Sequence, residues 1–256
     1  MGEEVVTTWW RRSAALALAA TLLTAGCGAA RRTRIAAAPR AGRCAAGTIR
    51  ALGSPERAYV ALVRGRVRAF HRLGASPIAW FGHDNLYGVP TVFSVRASVL
   101  GKGCRAVWYR VQLPLKPNGT VGYVRAPKVE LASVRTRISV DLSARLLTLF
   151  RDGRALLRVR VGVGSRQTPT PTGSFYVNQR FREDPAGPYG PAALGISAYS
   201  TVLTWWAQGG PIAIHGTNQP WTIGRAASNG CIHVQNRILD RLFRLTPAGT
   251  PVVITA

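Results

Sequence analysis

The chain has 256 residues, with 34 Lys and Arg against 10 Asp and Glu, a net charge of +24 and an isoelectric point near 11.6. Such a balance points to an acidic partner, which is nucleic acid, anionic lipid head groups or an acidic wall polymer. No Lys/Arg run with interleaved aromatics falls on a helix and no common nucleic-acid motif is present, so nucleic acid is not the expected partner. A salt-screened, non-specific attraction to a negatively charged cell envelope fits better.

In chain order, Trp9-Trp10-Arg11-Arg12 precedes an apolar run from Ser13 to Gly26, followed by Cys27. A charged start, a short apolar run and a small-residue exit describe a secretory leader over residues 1–27. The run falls short of the roughly 20 residues that span a bilayer, and no membrane-spanning helix is expected after it. Thr24-Ala25-Gly26-Cys27 resembles a bacterial lipobox, which implies lipidation of Cys27 and a lipid anchor; a plain signal peptide is the alternative. Residues 28–47 are rich in Ala, Arg and Gly and read as a flexible tether. The remainder is enough for two small domains.

Residues 48–132 carry Trp108-Tyr109-Arg110-Val111, then Pro117-Asn118-Gly119 and Gly122-Tyr123-Val124. Asn-Gly between alternating apolar runs is a hairpin signal. The segment resembles a small SH3-like β module, with a spacing or wall-binding role implied. Glu56 to Phe70 fits either a short helix or a strand pair.

Residues 133–256 open with Arg137 to Leu142 and Leu146 to Phe150, and Asp152-Gly153 marks a tight hairpin before Leu156 to Val163. Arg158 and Arg160 alternate with apolar neighbours and belong to a solvent face. Pro169 and Pro171 hold the next loop extended before a strand at Ser174 to Val177. A helix is expected from about Asn236, a good N-cap, with Ile238, Leu239, Leu242 and Phe243 on one face and Pro247 and Gly249 beyond its end. The expected fold is mainly β, with one or two short helices. Tyr176 and at least one of Trp205 and Trp206 read as core, and the stretch between Gly187 and Gly210 as a loop over a groove.

The chemistry concentrates in Ser228-Asn229-Gly230-Cys231-Ile232-His233, with Ile214-His215-Gly216 upstream. A thiol is a good nucleophile as thiolate, and a nearby imidazole is the usual route to it. Gly230 removes bulk beside the sulfur and frees the N–H groups of Gly230 and Cys231 for a developing oxyanion. Ser228 and Asn229 are turn formers able to support that loop.

These segments together resemble the L,D-transpeptidases with the YkuD-type catalytic domain. The resemblance rests on Ile212 to Asn218, Ser228 to His233, Thr168-Pro169-Thr170-Pro171-Thr172-Gly173, Pro188 to Ser200 and Gly249 to Ile254. It implies a β-sandwich catalytic domain with Cys231 as nucleophile, His215 as base, Gly230 and Cys231 as oxyanion donors, and Ser228, Asn229 and Gly216 as loop support. A backbone carbonyl near Gly216 is expected to orient the imidazole. Asn229 stands where the family usually has His, and His233 where it usually has Arg or Asn; His233 is expected on a strand edge. Thr217, Tyr199 and His233 are candidate substrate contacts.

The implied reaction is acyl transfer on peptidoglycan stem peptides by an extracytoplasmic monomer with no metal or cofactor. Hydrolysis, an L,D-carboxypeptidase activity, would use the same two residues, and a non-catalytic wall-binding lipoprotein is the reading from another class. With Cys27 and Cys231 assigned, Cys44 and Cys104 are left as either a disulfide or two free thiols.

Overall fold

The computed structural model describes residues 44–206 and 209–256. The leader, Cys27 and most of the tether lie outside them. The last residues of that tether are pinned rather than free: Cys44 is disulfide-bonded to Cys104, and the Gly47 N–H donates to the Leu100 carbonyl at 2.7 Å.

The first sheet is built from β1 (Ile49–Ala51), β2 (Ala58–Val63), β3 (Val67–Phe70), β4 (Pro77–Phe81), β5 (Val92–Leu100), β6 (Ala106–Gln112), β7 (Val121–Arg125) and β8 (Val129–Val134). Its order is β4-β3-β7-β6-β5-β2-β8, with β1 paired to β5. The stretch from Glu56 to Phe70 therefore forms two strands. Val63, Val67, Ala69, Phe93, Val95 and Val111 fill its apolar core. The Asn118-Gly119 signal falls in the connection between the antiparallel strands β6 and β7, with Gly119 at φ 82°.

The second sheet uses β9 (Thr136–Asp141), β10 (Leu146–Arg151), β11 (Arg154–Arg160), β13 (Gly173–Arg182), β14 (Ala192–Tyr199), β15 (Pro211–His215), β17 (Ile232–His233) and β18 (Pro251–Thr255). Its order is β11-β10-β9-β18-β13-β14-β15-β17. Two short strands, β12 (Val163–Gly164) and β16 (Ala226–Ser228), pair parallel to each other. The fold is mainly β. Asp152 and Gly153, at φ 52° and 76°, form the hairpin between β10 and β11, the left-handed pair that a two-residue turn requires.

The helix α1 (Asn236–Leu245) buries Leu239, Leu242 and Phe243, with Ile238 partly buried. Gln235, not Asn236, is its cap residue, and no side chain caps it. The Asn236 side chain is used elsewhere: its Oδ1 accepts from the Thr217 N–H at 2.8 Å.

The two sheets are joined by hydrogen bonds between polar groups that face each other. The Gln112 side-chain amide donates to the Ser174 carbonyl at 2.8 Å. Asn118 accepts from the Tyr199 N–H and donates to the Tyr199 carbonyl, each at 2.8 Å. The Tyr199 hydroxyl donates to the Pro114 carbonyl at 2.7 Å, and that of Tyr176 to the Val92 carbonyl at 3.1 Å. Tyr176 is fully buried, as expected of core. Trp205 and Trp206 are 78% and 38% exposed, so neither is core. They sit in the loop after β14, beyond the reach of either apolar cluster.

Candidate active site

Strands β15 and β17 run parallel, with Ile214 opposite Ile232 and His215 opposite His233. Residues two apart on a strand share a face, and diagonal neighbours on adjacent strands lie within side-chain reach. Ile214 and Ile232 turn into the core, fully buried. Cys231, level with Ala213, and His215 consequently fall on the opposite face as diagonal neighbours, two register positions apart. Cys231 lines a cavity of about 420 Å³ and is a free thiol.

The imidazole of His215 is buried and held on three sides. Nδ1 lies 2.5 Å from the Gly216 carbonyl. A carbonyl only accepts, so Nδ1 carries the proton and Nε2 the lone pair. The Tyr189 ring packs edge-on at 4.9 Å, and the His233 ring lies at 4.8 Å. His233 stands on the edge strand β17, as expected, but its ring packs against His215 as well. Its Nδ1 is 2.9 Å from the Thr222 hydroxyl and its ring is partly buried against the base.

Burial lowers the His215 pKa to about 4, helped by His233 and opposed by the Gly216 carbonyl. Burial also raises the Cys231 thiol, while the Ala213 N–H bonded to the sulfur lowers it. Both shifts disfavour charge. At rest the thiol and the imidazole are thus both neutral, with no preformed thiolate.

The cysteine loop is tied down by hydroxyls. Ser228 Oγ donates to the Cys231 carbonyl at 2.5 Å and accepts from the Gly230 N–H at 3.2 Å. The Gly230 N–H is therefore engaged inside the loop rather than free for an oxyanion. Gly230 has φ 110°, a region closed to most side chains. Thr168 donates to the Ser228 carbonyl at 3.0 Å. Thr170 donates to the Gly230 carbonyl at 2.8 Å and accepts from the Gly164 N–H at 2.8 Å. The Thr-Pro-Thr-Pro-Thr segment thus clamps the turn that carries Cys231. Asn229 is exposed at its tip.

Of the candidate substrate contacts, Tyr199 lines the cavity, although its hydroxyl is committed to Pro114. Thr217 is buried beside Asn236, and neither it nor His233 lines the cavity. A Cβ on Gly216 would collide with Asn236 Oδ1, which explains the small residue beside the base. Tyr87, Gln179, Glu183 and the Ala213 N–H complete the surroundings of Cys231 without having been singled out from the sequence. Tyr87, Asn178, Gln179, Tyr199 and Pro211 also line an adjoining cavity of about 440 Å³ that reaches Trp80 in β4. Among the described residues no cluster of His, Cys, Asp and Glu suits a metal ion.

The family model of the L,D-transpeptidase catalytic domain, YkuD, matches residues 135–254. A Bacillus subtilis protein named "Putative L,D-transpeptidase YkuD" is 38% identical over 117 residues, covering 46% of this chain and 64% of that protein. A second from the same organism, "Putative L,D-transpeptidase YqjB", is 34% identical over 129 residues, covering 46% of this chain and 70% of that protein. The chain belongs to the L,D-transpeptidase family. It spans 64% and 65% of the length of the YkuD relatives of B. subtilis and B. licheniformis. The solved catalytic domain of an E. faecium L,D-transpeptidase is 26% identical, with a TM-score of 0.35, over 47% of this chain and 96% of that one. Within this chain the family match falls on the second sheet and on the segments that hold Cys231 and His215.

Proposed function

We propose that this chain is a thiol acyltransferase that cross-links peptidoglycan stem peptides outside the cytoplasmic membrane. The observation that carries the reading is Cys231 at a cavity wall with the buried His215 on the same face of the neighbouring strand. With Nδ1 tied to a carbonyl, Nε2 is the base. As the carbonyl of the third stem residue, a diamino acid, settles against Cys231, Nε2 takes the thiol proton and the sulfur attacks. The C–S bond forms, the bond to the terminal D-Ala nitrogen breaks, and His215 returns the proton to that leaving amine. The Cys231 N–H is the oxyanion donor in this scheme, and one such donor is worth about 3 kcal/mol. An amine of a second stem then displaces the sulfur.

In this reading the chain divides into a leader over 1–27 with Cys27 as lipid anchor, a tether over 28–47, an SH3-like spacer over 48–132 and the catalytic domain over 133–256; the leader and anchor rest on the sequence from Trp9 to Cys27 alone. No helix among the described residues is long and apolar enough to cross a membrane.

The deciding experiment is intact-protein mass spectrometry after incubation with a carbapenem or a tetrapeptide donor. Wild type gains a stable acyl adduct and Cys231→Ala gains none. An adduct on the Ala variant would refute the assignment of Cys231. Dimer against tripeptide among the products separates transfer from hydrolysis.

A further inference from the structure

In a chain carrying 34 Lys and Arg, none among the described residues lines either of the two adjoining cavities. Their charged lining residues are both carboxylates, Glu183 in the cavity that Cys231 lines and Asp84 in the outer one. Strand alternation sorts the charges. Gln179, Phe181 and Glu183 line the cavity, whereas Arg180 and Arg182 lie over the Phe243 ring of α1 at 4.2 and 4.5 Å. Arg182 is further engaged with Asp240 at 2.6 Å.

Most other carboxylates are neutralised or bonded. Glu130 pairs with Arg64, Asp152 with Arg135, and Asp84 contacts His83. Among the described residues Glu183 has no ion pair and no side-chain hydrogen bond. Its strand end is nonetheless fixed, since its N–H donates to the Pro191 carbonyl at 3.2 Å. It also lies near the catalytic pair. The Tyr189 hydroxyl is pushed up first by burial, then by Cys231 and by Glu183, and the Tyr189 ring touches His215.

We infer that Glu183 docks the cationic acceptor, holding the ammonium of an amine-bearing peptide side chain next to the Cys231 thioester. The inference rests on the acyl-transfer reading and names its second substrate. A molecule of net charge +24 repels cations at long range, so an ammonium acceptor needs a local carboxylate to reach the thioester. Once docked, the ammonium gives one proton to solvent. The neutral amine attacks, the C–N bond forms and the C–S bond breaks. The second proton passes through Nε2 of His215 to the departing sulfur, which regenerates the thiol.

The test uses the full chain with a tetrapeptide donor and an amine-bearing stem acceptor. It compares wild type with Glu183→Gln, Glu183→Lys and Asp184→Asn, the last lying one residue along and outside the cavity lining. Glu183→Gln raises the acceptor KM about fivefold and shifts products from dimer to hydrolysed tripeptide, and Glu183→Lys does so further. Added salt weakens acceptor binding in wild type and has less effect in Glu183→Gln. Asp184→Asn behaves as wild type. The rate of carbapenem adduct formation reports the fold and the nucleophile in each variant. An unchanged KM and product ratio in both Glu183 variants, with adducts still forming, overturns the inference alone. Tripeptide as the sole wild-type product overturns it as well. Failure of wild-type Cys231 to acylate removes the acyl-transfer reading and the inference with it.

Discussion

His215 and His233 face each other at 4.8 Å, and the consequence is kinetic. With its pKa lowered to about 4, chiefly by burial, the His215 base keeps its lone pair throughout the neutral range. Acylation, followed as kcat/KM, rises with pH through about 4 and is level by neutrality. A limb in the ordinary imidazole range near 6.5 would contradict this. Because His233 helps to lower that pKa, His233→Asn moves the acid limb upward. The same depression has a stability cost on the acid side. The unfolded chain takes up a proton below about 6.5 that the native chain refuses until about 4. Stability is therefore full above 6.5 and falls by on the order of 3 kcal/mol as pH drops through that window. Chemical denaturation at a series of pH values measures it, with His215→Gln flattening the slope. The pairing of Cys231 with His215 as candidates came from local sequence, and the register puts them on one face. Their charge states were not legible there, because burial and a facing ring depend on which strands pair.

At the level of elements, the turn that presents Cys231 owes its shape to the loop between β12 and β13. Thr170 is buried and bonded on both sides, to the Gly230 carbonyl and the Gly164 N–H. Thr170→Val keeps the shape and strands both partners, which costs about 1–3 kcal/mol for a buried polar group left unsatisfied. A lowered denaturation midpoint together with slower carbapenem acylation is expected. A variant as stable and as fast as wild type would show the clamp to be idle. Strand positions and the Asp152-Gly153 hairpin were readable because alternation and turn chemistry are local. Asn236 misled for the opposite reason. Its residue type favours a helix cap, but the Thr217 N–H on another segment claims its oxygen. Trp205 and Trp206 misled through bulk: a large apolar side chain suggests core, whereas this pair stands in an exposed loop with Trp206 at the cavity.

Over the whole molecule, the first sheet supplies part of the wall around the nucleophile. Asn118 holds both backbone groups of Tyr199, and Pro114 takes its hydroxyl. Removing the Asn118 side chain leaves two backbone groups unpaired. Asn118→Ala is expected to lower stability by about 2 kcal/mol and to raise the KM for the donor peptide more than it lowers kcat. Equal KM values in the two proteins would show that Tyr199 needs no support. Reduction of Cys44–Cys104, which closes 60 residues of chain, is expected to lower stability by roughly 2–5 kcal/mol, read from melting with and without reductant. Of these long-range ties only the disulfide was open to the sequence, as one of two alternatives left by the cysteine count; the hydrogen bonds have no sequence signature, since each joins groups whose partners are set by tertiary packing. The arrangement also bears on drug discovery. A fragment trimmed to the part that matches the family would lose Tyr87 and the groups that brace Tyr199. Compounds selected against that fragment would meet a cavity that lacks part of the wall the intact chain presents.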